Sequence, residues 1–212
     1  MENNTSILLI NGSVRGELGN AGVITQQAAA YLKQKHNVSA DILTLSQVKG
    51  SIAEVHDLLN SSSGFFVTTG TYWNNWGSPL QRFLEVMTAF ENAPAFFGKP
   101  ISCAVTMDSV GGTDVAARLH FAFAGLGCWS PPCSTLVLSR TGQEAIAASA
   151  GKEDDPNEDV WRLSDMEIVL DNLVTATQIK PDWKCWPHGK LSIPEGKWPD
   201  AGDLDMDSPK FL

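Results

Sequence analysis

Residues 11–20 read NGSVRGELGN, directly after four apolar residues and directly before a segment with helical spacing. A glycine-rich loop between a strand and a helix suits an anion, because the helix start leaves backbone amides without partners and carries the positive end of its dipole. Gly12, Gly16 and Gly19 let the backbone curl closely. Ser13 and Asn20 bring side-chain donors, and Arg15 brings a charge. Taken alone, the stretch also fits a glycine-rich turn with a surface arginine. It lacks the Gly-Lys-Ser/Thr of a nucleotide loop, the GxGxxG spacing, and the Cys-x5-Arg spacing of a loop that attacks phosphate.

Two further loops stand out. Residues 68–79, TTGTYWNNWGSP, set Tyr72, Trp73 and Trp76 among Thr71, Asn74 and Asn75 in a polar segment. Loops lie at the surface, so large aromatics there want a flat partner; an aromatic cluster pinning the loop, or a subunit contact, is the plainer alternative. Residues 106–114, TMDSVGGTD, place Asp108, Ser109 and Val110 before Gly111 and Gly112, a lip of little bulk that admits something planar or anionic. Gly-Gly is also an ordinary turn. Together the three loops describe a phosphate cradle, an aromatic shelf and an open second lip, which is the shape of FMN.

The elements that must position these loops alternate. SILLIN, residues 6–11, has no period-two polarity and suits a strand buried on both faces. Ile24, Ala28, Tyr31 and Leu32 then mark a helix. Residues 38–45 form a second strand, Ile52 to Leu59 a short helix, and 64–70 a third strand. Ser78-Pro79 opens the next helix. Residues 99–107 give a fourth strand, 111–127 a helix closed by glycine, 134–139 a fifth strand, and 160–179 a last helix. This alternation predicts an α/β, three-layer fold with a five-stranded parallel sheet and helices on both faces. The three loops then fall at strand carboxyl ends, where such sheets bind ligands. Residues 140–159, rich in small residues and then acidic, read as a long excursion between the fifth strand and the last helix, with no element assigned. Residues 1–180 form the binding domain, and the Pro- and Trp-rich residues 181–212 a tail packed on it or on a neighbouring subunit.

Composition sets limits. The chain has 212 residues, enough for one domain with a sizeable core. A net charge of -9 and no basic stripe argue against nucleic acid. No apolar run reaches the ~20 residues of a membrane span. The polar start MENNTS is unlike a secretion signal, which predicts a cytoplasmic protein. Cys103, Cys128, Cys133 and Cys185 contain no CxxC pair, and the four histidines are scattered, so no metal site and no disulfide is expected.

NGSVRGELGN, GTYWNNWGSPLQRFLE and DSVGGTD, in that order, resemble the NAD(P)H-dependent FMN reductase family, a branch of the flavodoxin-like flavoproteins; the resemblance spans roughly residues 6–139. It implies that Ser13, Arg15, Gly19, Asn20 and Ala21 ring the FMN phosphate. Thr71, Tyr72, Trp73, Asn74, Asn75 and Trp76 line the ring and ribityl chain, and Asp108, Ser109, Val110, Gly111 and Gly112 complete the ring pocket. Where the family often has Ser or Thr after Gly-Asn, this chain has Ala21. The implied activity is hydride transfer from NADPH or NADH to FMN and onward to a small-molecule acceptor such as a quinone, flavin or azo compound, in a homodimer or homotetramer. No catalytic acid or nucleophile is required, since the flavin carries the chemistry, and His36, His56, His120 and His188 are given no role. One flavin face, beside Gly112, is expected to stay open for nicotinamide. The competing reading is a flavodoxin-type electron carrier, which the acidity favours. A third is a scaffold that has lost its cofactor.

Overall fold

The computed structural model describes residues 5–48, 51–152 and 163–185. Five strands, β1 (Ser6–Asn11), β2 (Ser39–Thr44), β3 (Gly64–Gly70), β4 (Ile101–Met107) and β5 (Thr135–Ser139), form one sheet in the order β2-β1-β3-β4-β5. Every neighbouring pair is parallel, with Ile10 opposite Val67 in β1–β3 and Gly70 opposite Thr106 in β3–β4. This is the flavodoxin-like order, whose switch point lies between β1 and β3.

The unbroken apolar run of β1 has a direct cause. Successive side chains of a strand point to opposite faces, and both faces are covered here. Ile7 and Leu9 join Phe66, Ala104 and Leu138 on one side, under Ile24, Ala28 and Leu32 of α1 (Asn20–His36) and Val169, Leu170 and Leu173 of α6 (Asp165–Thr177). Leu8 and Ile10 join Phe65, Val67 and Val105 on the other. That side is covered by α2 (Ile52–Ser61), α3 (Ser78–Met87) and α4 (Gly112–Leu126) through Val55, Leu59, Phe83, Leu119 and Phe123. Burying each such Leu, Ile or Phe is worth about 1.5–3 kcal/mol.

Local chemistry sets the helix ends. Ser51 and Glu54 form a reciprocal capping box on α2, with Ser51 N donating to Glu54 at 2.9 Å and Glu54 N to Ser51 Oγ at 3.3 Å. Pro79 sits in the first turn of α3. α4 closes on Gly127 at φ 109°, a conformation only glycine adopts freely. Across the α1–α6 seam, Asp171 accepts hydrogen bonds from Tyr31 (2.9 Å) and meets His36 at 2.6 Å. Burial opposes charge on Asp171, but the bonds from His36 and Tyr31 outweigh it and lower its pKa. Burial and the Asp171 carboxylate push Tyr31 up to about 12.

One segment gains a structure and one expectation needs correction. Within the excursion, α5 (Arg140–Ser149) starts directly after β5, with Ser139 as its N-cap accepting from Gly142 N at 3.1 Å. Its alanines supply the helix propensity and Ser139 the cap. The last helix begins at Asp165 and ends at Thr177, so Ile179 lies beyond it; Val160 lies outside the described residues. Of the tail, residues 181–185 are described. Trp183 lies against Gly98 and packs on Trp129, with ring centroids 6.2 Å apart. Residues 186–212, and with them His188, lie outside the described residues.

Candidate functional site

The loops after β1, β3 and β4 converge with the start of α5 on a cleft of about 370 Å³ at the carboxyl edge of the sheet. Its volume is within the range of small-molecule sites. Ser13, Arg15, Gly19, Asn20 and Ala21 line one part, Gly70, Thr71 and Tyr72 the middle, and Thr106, Met107, Asp108 and Arg140 the remainder.

The first loop is built tightly. Asn11, buried at the end of β1, accepts from Ser13 N at 3.1 Å, and Ser13 Oγ accepts from Arg15 N at 3.3 Å. A Cβ on Gly12 would stand 2.6 Å from Leu80 Cβ, and one on Gly77 would stand 2.6 Å from the Gly12 carbonyl oxygen. Loops one and two therefore seat against each other through bare backbone, which pins the first loop over α3. α1 then begins after Gly19, which supplies no side-chain cap. Gly22 N and Val23 N both bond to the Gly19 carbonyl, whereas the amides of Asn20 and Ala21 have no partner among the described residues. Two open donors at a helix start, beside the cleft, make an anion seat.

Charge is arranged unevenly. The exposed Arg15 guanidinium has no partner among the described residues. Arg140 is held: its Nε donates to Asp108 Oδ1 at 2.6 Å and its Nη1 to Glu144 at 3.0 Å. Asp108 first, then Glu144, raises the Arg140 pKa further above its already high ordinary value. The uncompensated positive charge thus lies at the first loop.

The second loop turns sharply. Tyr72 and Asn75 exchange backbone hydrogen bonds of 2.7 and 3.0 Å around a two-residue turn in which Trp73 and Asn74 have φ of 49° and 60°. Arg118 braces it by donating to the Asn74 carbonyl and to Asn75 Oδ1. Tyr72 folds back over Gly70, and its hydroxyl comes within 3.4 Å of Ser13 Oγ. Trp73 points fully into solvent (102% exposed). Trp76 leaves the cleft: its indole donates to Gln81 at 2.9 Å, and Arg118 lies 5.3 Å from its ring centroid. The Thr71 hydroxyl, in contrast, is buried in the cleft wall without a partner among the described residues.

In the third loop Ser109 and Val110 are exposed outside the cleft lining. Gly111, at φ 90°, packs so closely on Asn74 that a Cβ there would overlap its Oδ1. Gly112 faces inward, where a Cβ would meet Val137 at 2.8 Å and Met107 Sδ at 2.9 Å. It is buried beneath the third loop and is not a free lip beside the ring; a large residue there would disturb β4 and β5 first.

The structure therefore brings Ser13, Arg15, Gly19, Asn20, Ala21, Thr71, Tyr72 and Asp108 to one cleft. It sets Trp73, Asn74, Asn75, Trp76, Ser109, Val110, Gly111 and Gly112 outside its lining. Gly70, Thr106, Met107 and Arg140 join without having been singled out in the sequence. Arg140 had a readable signal, being the first residue after the fifth strand on the same sheet edge, but only the ends of strands one, three and four drew attention.

These features fit FMN on the structure's own terms. The uncapped amides and Arg15 suit its phosphate, and the Thr71 hydroxyl adds to the cleft wall a polar group without a partner among the described residues. Residues 5–143 match the NADPH-dependent FMN reductase family, and the chain belongs to it. It is accordingly a flavin oxidoreductase of the flavodoxin-like fold. No curated protein sequence matches the chain. Among solved structures, RosB with a bound 8-demethyl-8-formylriboflavin-5'-phosphate intermediate is similar at TM-score 0.65 and 11% identity, over 82% of this chain and 79% of that one. The apo form of the NADH:FMN oxidoreductase EMOB is similar at 0.60 and 15% identity, over 87% and 93%. An archaeal flavodoxin is similar at 0.56 and 11% identity, over 82% and 100%. At these identities the likeness is one of fold. No helix among the described residues is long and apolar enough to cross a membrane, and no disulfide joins the four cysteines.

Proposed function

We propose that the chain binds FMN in this cleft, takes hydride from NADPH or NADH, and passes the electrons to a small acceptor such as a quinone, free flavin or azo compound. The observation that carries the reading is the anion seat at the β1/β3 switch point: the open amides of Asn20 and Ala21 beside the unpartnered Arg15. When bound, the flavin supplies the two-electron chemistry. The protein's residues hold it. Ser13, Gly19 and Asn20 close around the phosphate, Thr71 and Tyr72 support the middle of the cofactor, and Asp108 borders its ring.

An enzyme must leave room for nicotinamide against the ring, with reacting atoms about 3–3.5 Å apart. Outward-pointing Trp73, and Trp76 turned aside onto Gln81 and Arg118, leave the cleft mouth without an indole across it. Steady-state oxidation of NADPH and NADH by FMN-loaded protein, against quinone, free flavin, azo dye and metal oxyanion, tests the assignment and selects the acceptor. Absence of turnover with every acceptor sinks it.

The net charge of -9 favours a second reading, an electron carrier that offers an acidic face to a protein partner. Reduction only by a partner reductase, and never by free nicotinamide, would select it. The same proposal places the protein in the cytoplasm as a homodimer or homotetramer. The exposed Phe121 of α4 offers apolar area for a subunit contact, and light scattering of the purified protein counts the subunits.

A further inference from the structure

Asp108 is held more firmly than its exposed position requires. The three residues where β5 passes into α5 all bond to it. Ser139 Oγ donates to its carbonyl at 3.2 Å, Thr141 N to the same carbonyl at 3.0 Å, and Arg140 Nε to its Oδ1 at 2.6 Å. Glu144 anchors Arg140 in turn through Nη1. What remains open is one carboxylate oxygen, Asp108 Oδ2, and one guanidinium nitrogen, Arg140 Nη2; neither has a partner among the described residues. The register that sets Met107 opposite Ser139 makes these two residues direct neighbours just past the ends of β4 and β5. A fixed acceptor therefore sits beside a fixed donor on the wall of the cleft.

The pair has little use for a simple anion. With Glu144 the cluster carries two carboxylates against one guanidinium, so its net charge is negative, and the free charge of Arg15 lies at the other end of the cleft. Its chemistry matches an uncharged group that presents a donor and an acceptor side by side. With the phosphate seated at the first loop, β5 stands three neighbours away across β1-β3-β4-β5, about 14 Å at ~4.8 Å per strand. That is where the isoalloxazine ring must reach. Its two ends differ: one carries two methyl groups, the other an imide edge in which N3–H lies between two carbonyl oxygens. Turning the methyl end toward Asp108 and Arg140 would cover two polar groups with nothing to bond.

We infer that Asp108 and Arg140 form a reader for the imide edge of the flavin, Asp108 accepting from N3–H and Arg140 donating to the adjacent carbonyl oxygen, and so fix which end of the ring points into the protein. This rests on the proposed function of the cleft and assigns Arg140 a positioning role. Such a reader discriminates FMN from 3-methyl-FMN, in which a methyl group replaces the N3 proton and so removes the donor that Asp108 meets.

Fluorescence titration of the whole protein with both flavins supplies the test. The wild type binds FMN about tenfold more tightly than 3-methyl-FMN, the effect of one charge-assisted hydrogen bond at a partly exposed site. Asp108→Ala removes the preference, and Asp108→Asn, which keeps an acceptor oxygen, retains part of it. Arg140→Gln weakens both flavins and keeps the preference. Equal affinities in the wild type, or a preference that survives in Asp108→Ala, overturns the inference while leaving the FMN site intact. Failure of either flavin to bind overturns the proposed function itself, and the inference with it.

Discussion

Arg15→Ala separates a phosphate seat from a general flavin pocket. In the structure the Arg15 guanidinium is exposed and unpartnered among the described residues, so the substitution breaks no internal ion pair and leaves no buried group unsatisfied. Its effect on the fold is therefore within about 0.5 kcal/mol. A hydrogen bond to a charged group contributes about 1.5–3 kcal/mol. Solvent screening at this exposed position puts the value near the lower end, about 1.5 kcal/mol, or roughly a tenfold rise in the Kd for FMN. Riboflavin has the same ring and ribityl chain but no phosphate, so its affinity should change by less than about twofold, within the ~0.5 kcal/mol of a surface substitution. Quenching of flavin fluorescence reads both constants. Raising the ionic strength should shrink the FMN difference, as for any exposed charge pair. Equal losses for FMN and riboflavin would mean that Arg15 does not meet the phosphate, and the anion seat at α1 would have to be abandoned.

Other consequences are equally specific. Ala21→Ser places a hydroxyl beside the open helix amides and should tighten FMN several-fold, by about 1 kcal/mol, in the same titration; weaker binding would mean that residue 21 does not face the phosphate. Gly77→Ala drives a Cβ into the Gly12 carbonyl oxygen. It should cost about 1–3 kcal/mol in urea denaturation, as overpacking does, and loosen FMN at the same time. His120 is half-buried with its ring nitrogens 2.6 Å from Ser130 Oγ and 2.7 Å from Thr135 Oγ1, and burial lowers its pKa. The unfolded chain, whose histidine titrates near 6.5, then takes up the proton first. Stability is full above about pH 6.5 and falls as pH drops toward the folded value. His56, lowered chiefly by burial, adds to the same slope. His120→Gln should flatten the loss of stability as pH falls below about 6.5; an unchanged slope would remove His120 from the account.

The sequence revealed most where one physical cause acts alone. Ile7 to Ile10 read as a doubly buried strand because both faces are covered, and no polar alternation is needed. The first loop was legible because an uncapped helix after Gly19 leaves the same open amides in any such turn. The aromatic loop was harder. Residue type placed Tyr72, Trp73 and Trp76 at the surface, but their directions depend on the left-handed pair Trp73 and Asn74, which sends one indole outward. Gln81 and Arg118 then draw the other away from the cleft. Gly112 looked like open space from its lack of a side chain, whereas the missing Cβ makes room for Met107 and Val137. α5 was hidden inside a long span of small and then acidic residues that drew no element, and with it went Arg140, whose place beside Asp108 follows from strand register.

The most direct test of the central claim is anaerobic rapid mixing of the FMN-loaded protein with NADPH and, separately, NADH, following the oxidised flavin absorbance after cofactor content has been measured. An FMN-dependent reductase predicts loss of that absorbance in a saturable, single-turnover phase with at least one of the two nicotinamides. Bound FMN that stays oxidised with both would contradict the account and leave the electron carrier in its place.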